Sequence, residues 1–361
     1  MTLKSCLASL PVLLALAAAS QASGLVIGVV APSSGPYAIL GKQVLDGAKA
    51  QAEAAGNSIL PIPENCDDAS GEDAAKQLIS AGATAAIGFL CSNTLQSAMP
   101  ALASVGIPAI TLSARSHILF EDAVKKKWPL YSLAPAPGEE AQATATMIAR
   151  AWANAPFAII DDGTINAHEL AANIRLELEG KGITPIMTDT YRPGLENQRL
   201  LVKQLGKSGA SAVYIAGARS DVAVIARDLA EAASGITVMG GESLLAADEG
   251  APLPSGVLAA MPELWHNQPE ASAVVQALAE KGVIAEGYVL PAHAAAFIAG
   301  KADETKKADE PLGQAIQTGN FPTVLGNVAF GPDHLRKEGA YRLMEWRDGA
   351  FEPVINGDQT N

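Results

Sequence analysis

Three cysteines, few aromatics and no long apolar run set the first limits on this 361-residue chain. The most apolar run, residues 7–19, is broken by Ser9 and Pro11 and falls short of the roughly 20 residues a membrane-spanning helix needs. Basic residues are scarce, 25 against 38 acidic, which argues against nucleic acid or anionic lipid as a partner. No G-x-G-x-x-G follows a strand, and there is no P-loop, G-x-S-x-G elbow or H-E-x-x-H. His117, His168, His266, His293 and His334 are scattered without metal-ligand spacing and read as surface or packing residues. The acid pairs Asp67-Asp68 and Asp161-Asp162 fall in turns, where such pairs are ordinarily solvated. Nothing in this inventory asks for an enzyme, a cofactor or a metal.

What is present begins with an export signal. Lys4 gives a short positive region, residues 7–19 an apolar one, and Ser20-Gln21-Ala22 an A-x-A-like cleavage site. Cys6 precedes the apolar region and is not placed for lipid attachment. Removal of residues 1–22 takes away Lys4 and leaves a net charge of −14, one below the −13 of the whole chain. Two cysteines then remain, Cys66 and Cys91. An even count in an exported chain reads as one disulfide; a two-cysteine metal site would need further ligands that the sequence does not offer nearby. About 340 mature residues exceed what one hydrophobic core usually supports, so two lobes are expected.

Short apolar runs alternate with helical patterns along the chain. Strands are expected at 25–30, 58–63, 85–90 and 107–112, with helices at 41–55, 72–81 and 95–104 between them. Residues 129–137 carry three prolines and no helical pattern, which suits a chain crossing. The alternation restarts with helices at 139–154, 168–180, 196–206 and 221–233, and strands at 157–160, 183–191, 212–215 and 236–239. A second crossing strand is expected at 257–261, helices at 270–281 and 286–300, and a terminal hairpin around Asp348-Gly349. This alternation implies parallel sheets with helices on both faces. In such sheets ligands bind outside the strand C-termini, which puts the pocket in a cleft between two lobes.

One stretch organises the rest. Ala85 to Leu90 is an apolar run that ends in Cys91-Ser92-Asn93-Thr94 and then opens a helix. The N–H groups of that turn, with the Ser92 and Thr94 hydroxyls, make a seat for a carboxylate. The same residues also suit simple helix capping, and both readings stay open here.

The string IGVVAPSSGPY at 27–37, followed by Gly41 and Asp46-Gly47-Ala48, resembles the start of periplasmic branched-chain amino-acid-binding proteins, the type I substrate-binding proteins of ABC importers. Ile87-Gly88-Phe89-Leu90-Cys91-Ser92 is similar to the family's I-G-H-L-C-S segment, and Cys66 lies where its disulfide partner is expected. Gly240-Gly241-Glu242 resembles the G-P-E-G loop, and Ala260-Met261-Pro262 the second crossing. The resemblance implies an α/β chain of two Rossmann-like lobes joined by three hinge crossings, closing on a ligand. It puts residues 23–134 and 262–333 in the N-terminal lobe and 135–261 with 334–361 in the C-terminal lobe.

Carried over by position, Ser92, Asn93 and the adjoining backbone seat the ligand carboxylate. Ser113 and Ala114 lie on a second pocket loop, Tyr37 lines the side-chain pocket, and Glu242 receives the ammonium. Three positions depart from the family. Arg115 stands where a threonine is usual, Asn166 where an aromatic is common, and Arg219 where tyrosine follows a strand end. The arginines imply a more cationic pocket and a polar or acidic cargo, unless they pair across the lobes with acids such as Glu139 or Asp161. The expected role is a monomeric periplasmic receptor, without cofactor, that delivers an amino acid to an inner-membrane ABC permease. A non-amino-acid carboxylate, amide or aromatic acid as cargo, or a sensory ligand-binding module, are the alternatives.

Overall fold

A computed structural model describes residues 24–246 and 250–354. The signal segment, Cys6 and the last residues assigned to the C-terminal lobe lie outside these.

The first βα series runs β1 (Val26–Ala31), α1 (Ala38–Ala55), β2 (Ser58–Pro63), α2 (Asp68–Ser80), β3 (Ala85–Gly88), α3 (Ser92–Ser104), β4 (Ala109–Thr111), α4 (His117–Lys126) and β5 (Leu130–Ser132). Its five strands form one parallel sheet in the order β2-β1-β3-β4-β5. The inner strands are buried along almost their whole length, which is why they read as unbroken apolar runs rather than alternating ones. Apolar clusters cover both faces, one built around Ile27, Ile87 and Ile298, the other around Val30, Phe89 and Leu102.

The second series follows with α5 (Glu139–Trp152), β6 (Phe157–Asp161), α6 (Ile165–Glu179), β7 (Met187–Thr190), α7 (Arg199–Ser208), β8 (Ala212–Ala216), α8 (Arg219–Glu231), β9 (Thr237–Gly240) and β10 (Leu258–Pro262). The chain then returns to the first body through α9 (Ser272–Glu280), α10 (Val289–Thr305), α11 (Leu312–Thr318) and the small hairpin β11 (Phe321–Thr323) and β12 (Gly326–Val328). It crosses a third time to end in the hairpin β13 (Tyr341–Arg347) and β14 (Ala350–Pro353), added antiparallel to the second sheet. That sheet has the order β14-β13-β10-β9-β8-β6-β7.

The strand order turns back on itself between the parallel neighbours β1 and β3 in the first sheet and between β6 and β8 in the second. Such switch points open a crevice at the strand C-termini, and the loops after β1, β3, β4, β6, β8 and β9 line it.

Several local expectations shift. The proline-rich segment 129–137 contains a real strand, β5, of only three residues. The strand expected as a crossing at 257–261 is β10, a full sheet member between β9 and β13. The helix expected from 196 starts at Arg199, because the preceding loop is held to α8, with Gly194 N donating to Asp221 at 2.7 Å and Gln198 N donating to Asp228. The strand expected over 183–191 shortens to β7, since Ile183 N still closes α6 on Leu178 O. Helix α4, capped by the Ser116 hydroxyl on Leu119 N, has no counterpart in the sequence reading.

Candidate functional site

The β3–α3 turn is fixed from four sides. Gly88 takes φ +104°, and any Cβ there would lie 2.2 Å from Val30 O, so only glycine fits. Phe89 is fully buried at φ 50°, a costly conformation for a bulky side chain, and is held by Phe89 N donating to Val30 O at 2.7 Å and by the Thr111 hydroxyl donating to Phe89 O at 2.9 Å. Cys91 is disulfide-bonded to Cys66, Cα to Cα 5.1 Å, which ties the loop after β2 to the turn. The Glu64 carboxylate, buried beneath it, accepts from Leu90 N at 3.0 Å and Cys91 N at 3.1 Å. Burial pushes Glu64 up to about 7 against those two N–H groups. Ser92, Asn93 and Thr94 follow as the first turn of α3, where backbone N–H groups have no intrahelical acceptor.

Beside this turn, the Thr111 hydroxyl accepts from Ala114 N at 3.1 Å and Ser113 N at 3.4 Å, shaping the loop after β4. The next residue, Arg115, reaches across to the second lobe. Its Nη1 lies 3.1 Å from both Glu242 oxygens and 3.4 Å from the Tyr341 hydroxyl, which itself donates to Glu242. Burial works against the Arg115 charge, while Glu242 and Tyr341 raise its pKa.

On the second lobe a cavity of about 610 Å³ lies at the C-terminal ends of β6, β8 and β9. Glu140, Asp162, Asn166, Tyr214, Gly217 and Glu242 are among the residues that line it. Glu140 Oε1 accepts the Glu242 backbone N–H at 3.1 Å, and burial, then the Glu242 charge, pushes Glu140 up to about 7. A second cavity of about 490 Å³ lies at the hinges, lined by Arg115, Trp265, Tyr288 and Ala340 among others. Glu242 lines the first cavity and Arg115 the second, so this ion pair links them.

The structure therefore brings together Arg115 and Glu242, and places Asn166 with Glu242 in one cavity. Tyr37 is 55% exposed ahead of α1. Arg219 is buried but faces away: it donates to Leu244 O and stacks over the Trp346 ring at 4.7 Å, bracing the Glu242 loop from behind. Three carboxylates, Glu140, Asp162 and Glu242, line the cavity on the second lobe, and Arg115 lines the neighbouring one. The acids proposed for the arginines are engaged with other groups. Glu139 accepts from the Ala136 and Ala340 backbones at two of the crossings, and Asp161 accepts from Gly163 N at 2.9 Å with His168 and Thr190 beside it. Asp161 is thus buried and bonded, where a solvated turn acid was expected. Sequence reasoning missed Glu64, Glu140, Tyr214 and Tyr341. Glu64 had a faint signal, an acid two residues before Cys66; the other three had none.

Two lobes with opposed crevices and three connecting segments define a receptor that holds its solute between domains. Residues 24–350 match the periplasmic binding protein family, and the chain belongs to it. A Leu/Ile/Val-binding protein, BraC3 of Rhizobium johnstonii, is 26% identical over 97% of this chain and 98% of its own length. An ABC transporter substrate-binding protein of Desulfitobacterium hafniense, solved in complex with Leu, shares the fold with a TM-score of 0.69 at 19% identity, covering 92% of this chain and 100% of that one. An ABC transporter solute-binding protein of R. palustris, solved in complex with benzoate, does so with a TM-score of 0.64 at 17% identity, covering 92% and 95%.

Proposed function

We propose that the protein captures a small amino acid in its interlobe cleft and delivers it to the permease of an ABC importer, working as a monomer in the periplasm and doing no covalent chemistry. The observation that carries this reading is the opposite polarity of the two walls. One wall offers the N–H-rich first turn of α3, and the other the carboxylates of Glu140 and Glu242. A zwitterion, anionic at one end and cationic at the other, is the solute such a cleft suits. In this reading Ser92 and Asn93 seat the carboxylate, the C-terminal wall takes the ammonium, and Ser113, Ala114, Asn166 and Tyr37 border the cargo. Arg219 supports the Glu242 loop. The Leu/Ile/Val-binding name of the Rhizobium relative agrees with it.

The export signal read in residues 1–22 supports the periplasmic address, and no helix among the described residues is long and apolar enough to cross a membrane. Closure would be a rotation of residues 23–134 and 262–333 against 135–261 and 334–361, about positions 134, 261 and 333, since three covalent crossings favour hinge motion.

A second reading keeps the cleft and changes the cargo to a carboxylate without an ammonium. It is favoured by one contact, Arg115 already on Glu242, and by the benzoate-bound R. palustris neighbour. There Arg115 would hold the anion bidentately. A thermal-shift screen of the mature protein against amino acids and aromatic or aliphatic acids separates the two. A cargo at 100 times its dissociation constant stabilises by about 2.7 kcal/mol. Shifts confined to acids lacking an amino group would overturn the amino-acid reading.

A further inference from the structure

We propose that Glu140 is the residue that takes the cargo's ammonium charge, because Arg115 has already neutralised Glu242. This inference rests on the amino-acid reading above and assigns the receiving group within that same site.

The charge balance of the wall points to Glu140. Glu242 carries a guanidinium on both of its oxygens and the Tyr341 hydroxyl besides. Glu140 lines the same cavity, yet no cation among the described residues pairs with it. One of its oxygens accepts the Glu242 backbone N–H; the other has no hydrogen-bond partner among the described residues. Three carboxylates line this cavity, Glu140, Asp162 and Glu242. Asp162 accepts from the Thr164 N–H and hydroxyl and Glu242 holds Arg115, which leaves Glu140, among the described residues, with neither a cation nor a hydroxyl of its own. A partly desolvated carboxylate that only shares the Arg115 charge with Glu242 is unfavourable, and an arriving ammonium supplies a charge of its own.

The geometry around Gly241 supports the assignment. A Cβ built there would lie 2.6 Å from Glu140 Oε1 and 2.9 Å from the Tyr214 hydroxyl, so both groups close on this glycine. The Tyr214 hydroxyl is fully buried, lines the cavity and has no partner of good geometry, although Thr144 is near it. An ammonium has three N–H donors, and Glu140 with the Tyr214 oxygen provides two acceptors for them.

A titration follows. Glu140 faces Glu242 on the β9 loop, Arg115 from the other lobe, Tyr214 from β8, Tyr341 from β13 and Asp162 from the end of β6. Its folded carboxyl ionises only near 7. An ammonium needs the ionised form, so amino-acid affinity rises with pH up to about 7 and levels off above it, with one proton released per molecule bound below 7.

The test is isothermal titration of the mature protein with L-leucine and L-glutamate, and with their amino-free analogues 4-methylpentanoate and glutarate, at pH 5.5, 6.5 and 8. Gln at 140 still accepts the Glu242 N–H, so the Glu140→Gln variant keeps that contact, and circular dichroism checks its fold. Expected is a loss of about 100-fold in amino-acid affinity, with the pH slope abolished, and little change for an amino-free acid. Glu140→Asp, which keeps the charge, should retain the slope even if it binds more weakly. An amino acid that binds Glu140→Gln with wild-type affinity and slope, while Glu242→Gln fails, overturns the Glu140 assignment and leaves the amino-acid reading standing. Wild-type protein that binds neither amino acid but takes an amino-free acid overturns both.

Discussion

Gly47 packs in α1 against the first residue of α10, the helix that rebuilds the first lobe after the second crossing. A Cβ at Gly47 would stand 1.9 Å from Val289 O, 2.8 Å from Val289 C and 3.1 Å from its Cα. Ordinary contact begins near 3.4 Å, so Gly47→Ala must push two backbones apart by about 1.5 Å. Two effects compete. Alanine in a helix interior is favoured over glycine by about 1 kcal/mol, whereas overpacking costs about 1–3 kcal/mol. The obstructing atoms are backbone, with no rotamer to yield, so the upper end applies and a net loss of about 2 kcal/mol is expected. Gly206 in α7 is the control, since a Cβ there meets nothing within 4 Å. Gly206→Ala should show the propensity gain alone, about 0.5–1 kcal/mol of stabilisation. Urea unfolding followed by tryptophan fluorescence and circular dichroism reads both variants. The Gly47 shift should also reach the hinge cavity, which the two residues after Val289, Leu290 and Pro291, line. If Gly47→Ala is as stable as wild type, or moves the same way as Gly206→Ala, the close helix approach described here is wrong.

Other perturbations test the site. Removing the Cys66–Cys91 link by Cys66→Ala with Cys91→Ala should lower stability by about 3 kcal/mol for a loop of 25 residues, with ligand ranking preserved in a thermal-shift panel; unchanged stability would contradict it. Glu64 is raised from 4.5 to about 7, so between these pH values the folded state binds more protons than the unfolded one and stability falls as pH rises, then levels off. Glu64→Gln should flatten that fall in urea titrations at pH 5 and 7.5, although Glu140, raised in the same direction, leaves part of it. Arg115→Ala removes a pair that joins the lobes, with side chains 38% and 32% exposed, worth about 1 kcal/mol or less. The ligand-free radius of gyration by small-angle scattering should rise, and an unchanged value would mean the pair does not hold the lobes.

The sequence was most readable where structure is local and buried on both faces. The runs that became β1, β3, β6 and β8 are apolar because helices cover both sides of each sheet, and a turn-rich segment follows each. Asp348-Gly349 marked the terminal hairpin for the same local reason. Strand β5 was hidden by its length and its flanking prolines, since three residues cannot show a period. The site was legible by half. The turn at Ser92 and the loop at Glu242 each carry a local pattern, but Arg115 meets Glu242 across 127 residues. No periodicity encodes that contact; it depends on how two sheets are set against each other. Arg219 is a related case. Its place at the start of α8 puts it near the cleft, yet the Trp346 ring and Leu244 O draw it behind the loop. Glu140 was invisible because its neighbour in sequence, Glu139, serves the hinge backbone instead.

The most direct measurement is a crystal structure of the mature protein grown with the amino acid that gives the largest thermal shift. The account predicts the cargo between the lobes, its carboxylate on the first turn of α3 at Ser92 and Asn93 and its ammonium against Glu140 on the opposite wall. An amino acid bound outside the cleft, or one lying in it with its carboxylate on Arg115 and its ammonium away from both Glu140 and Glu242, would contradict it.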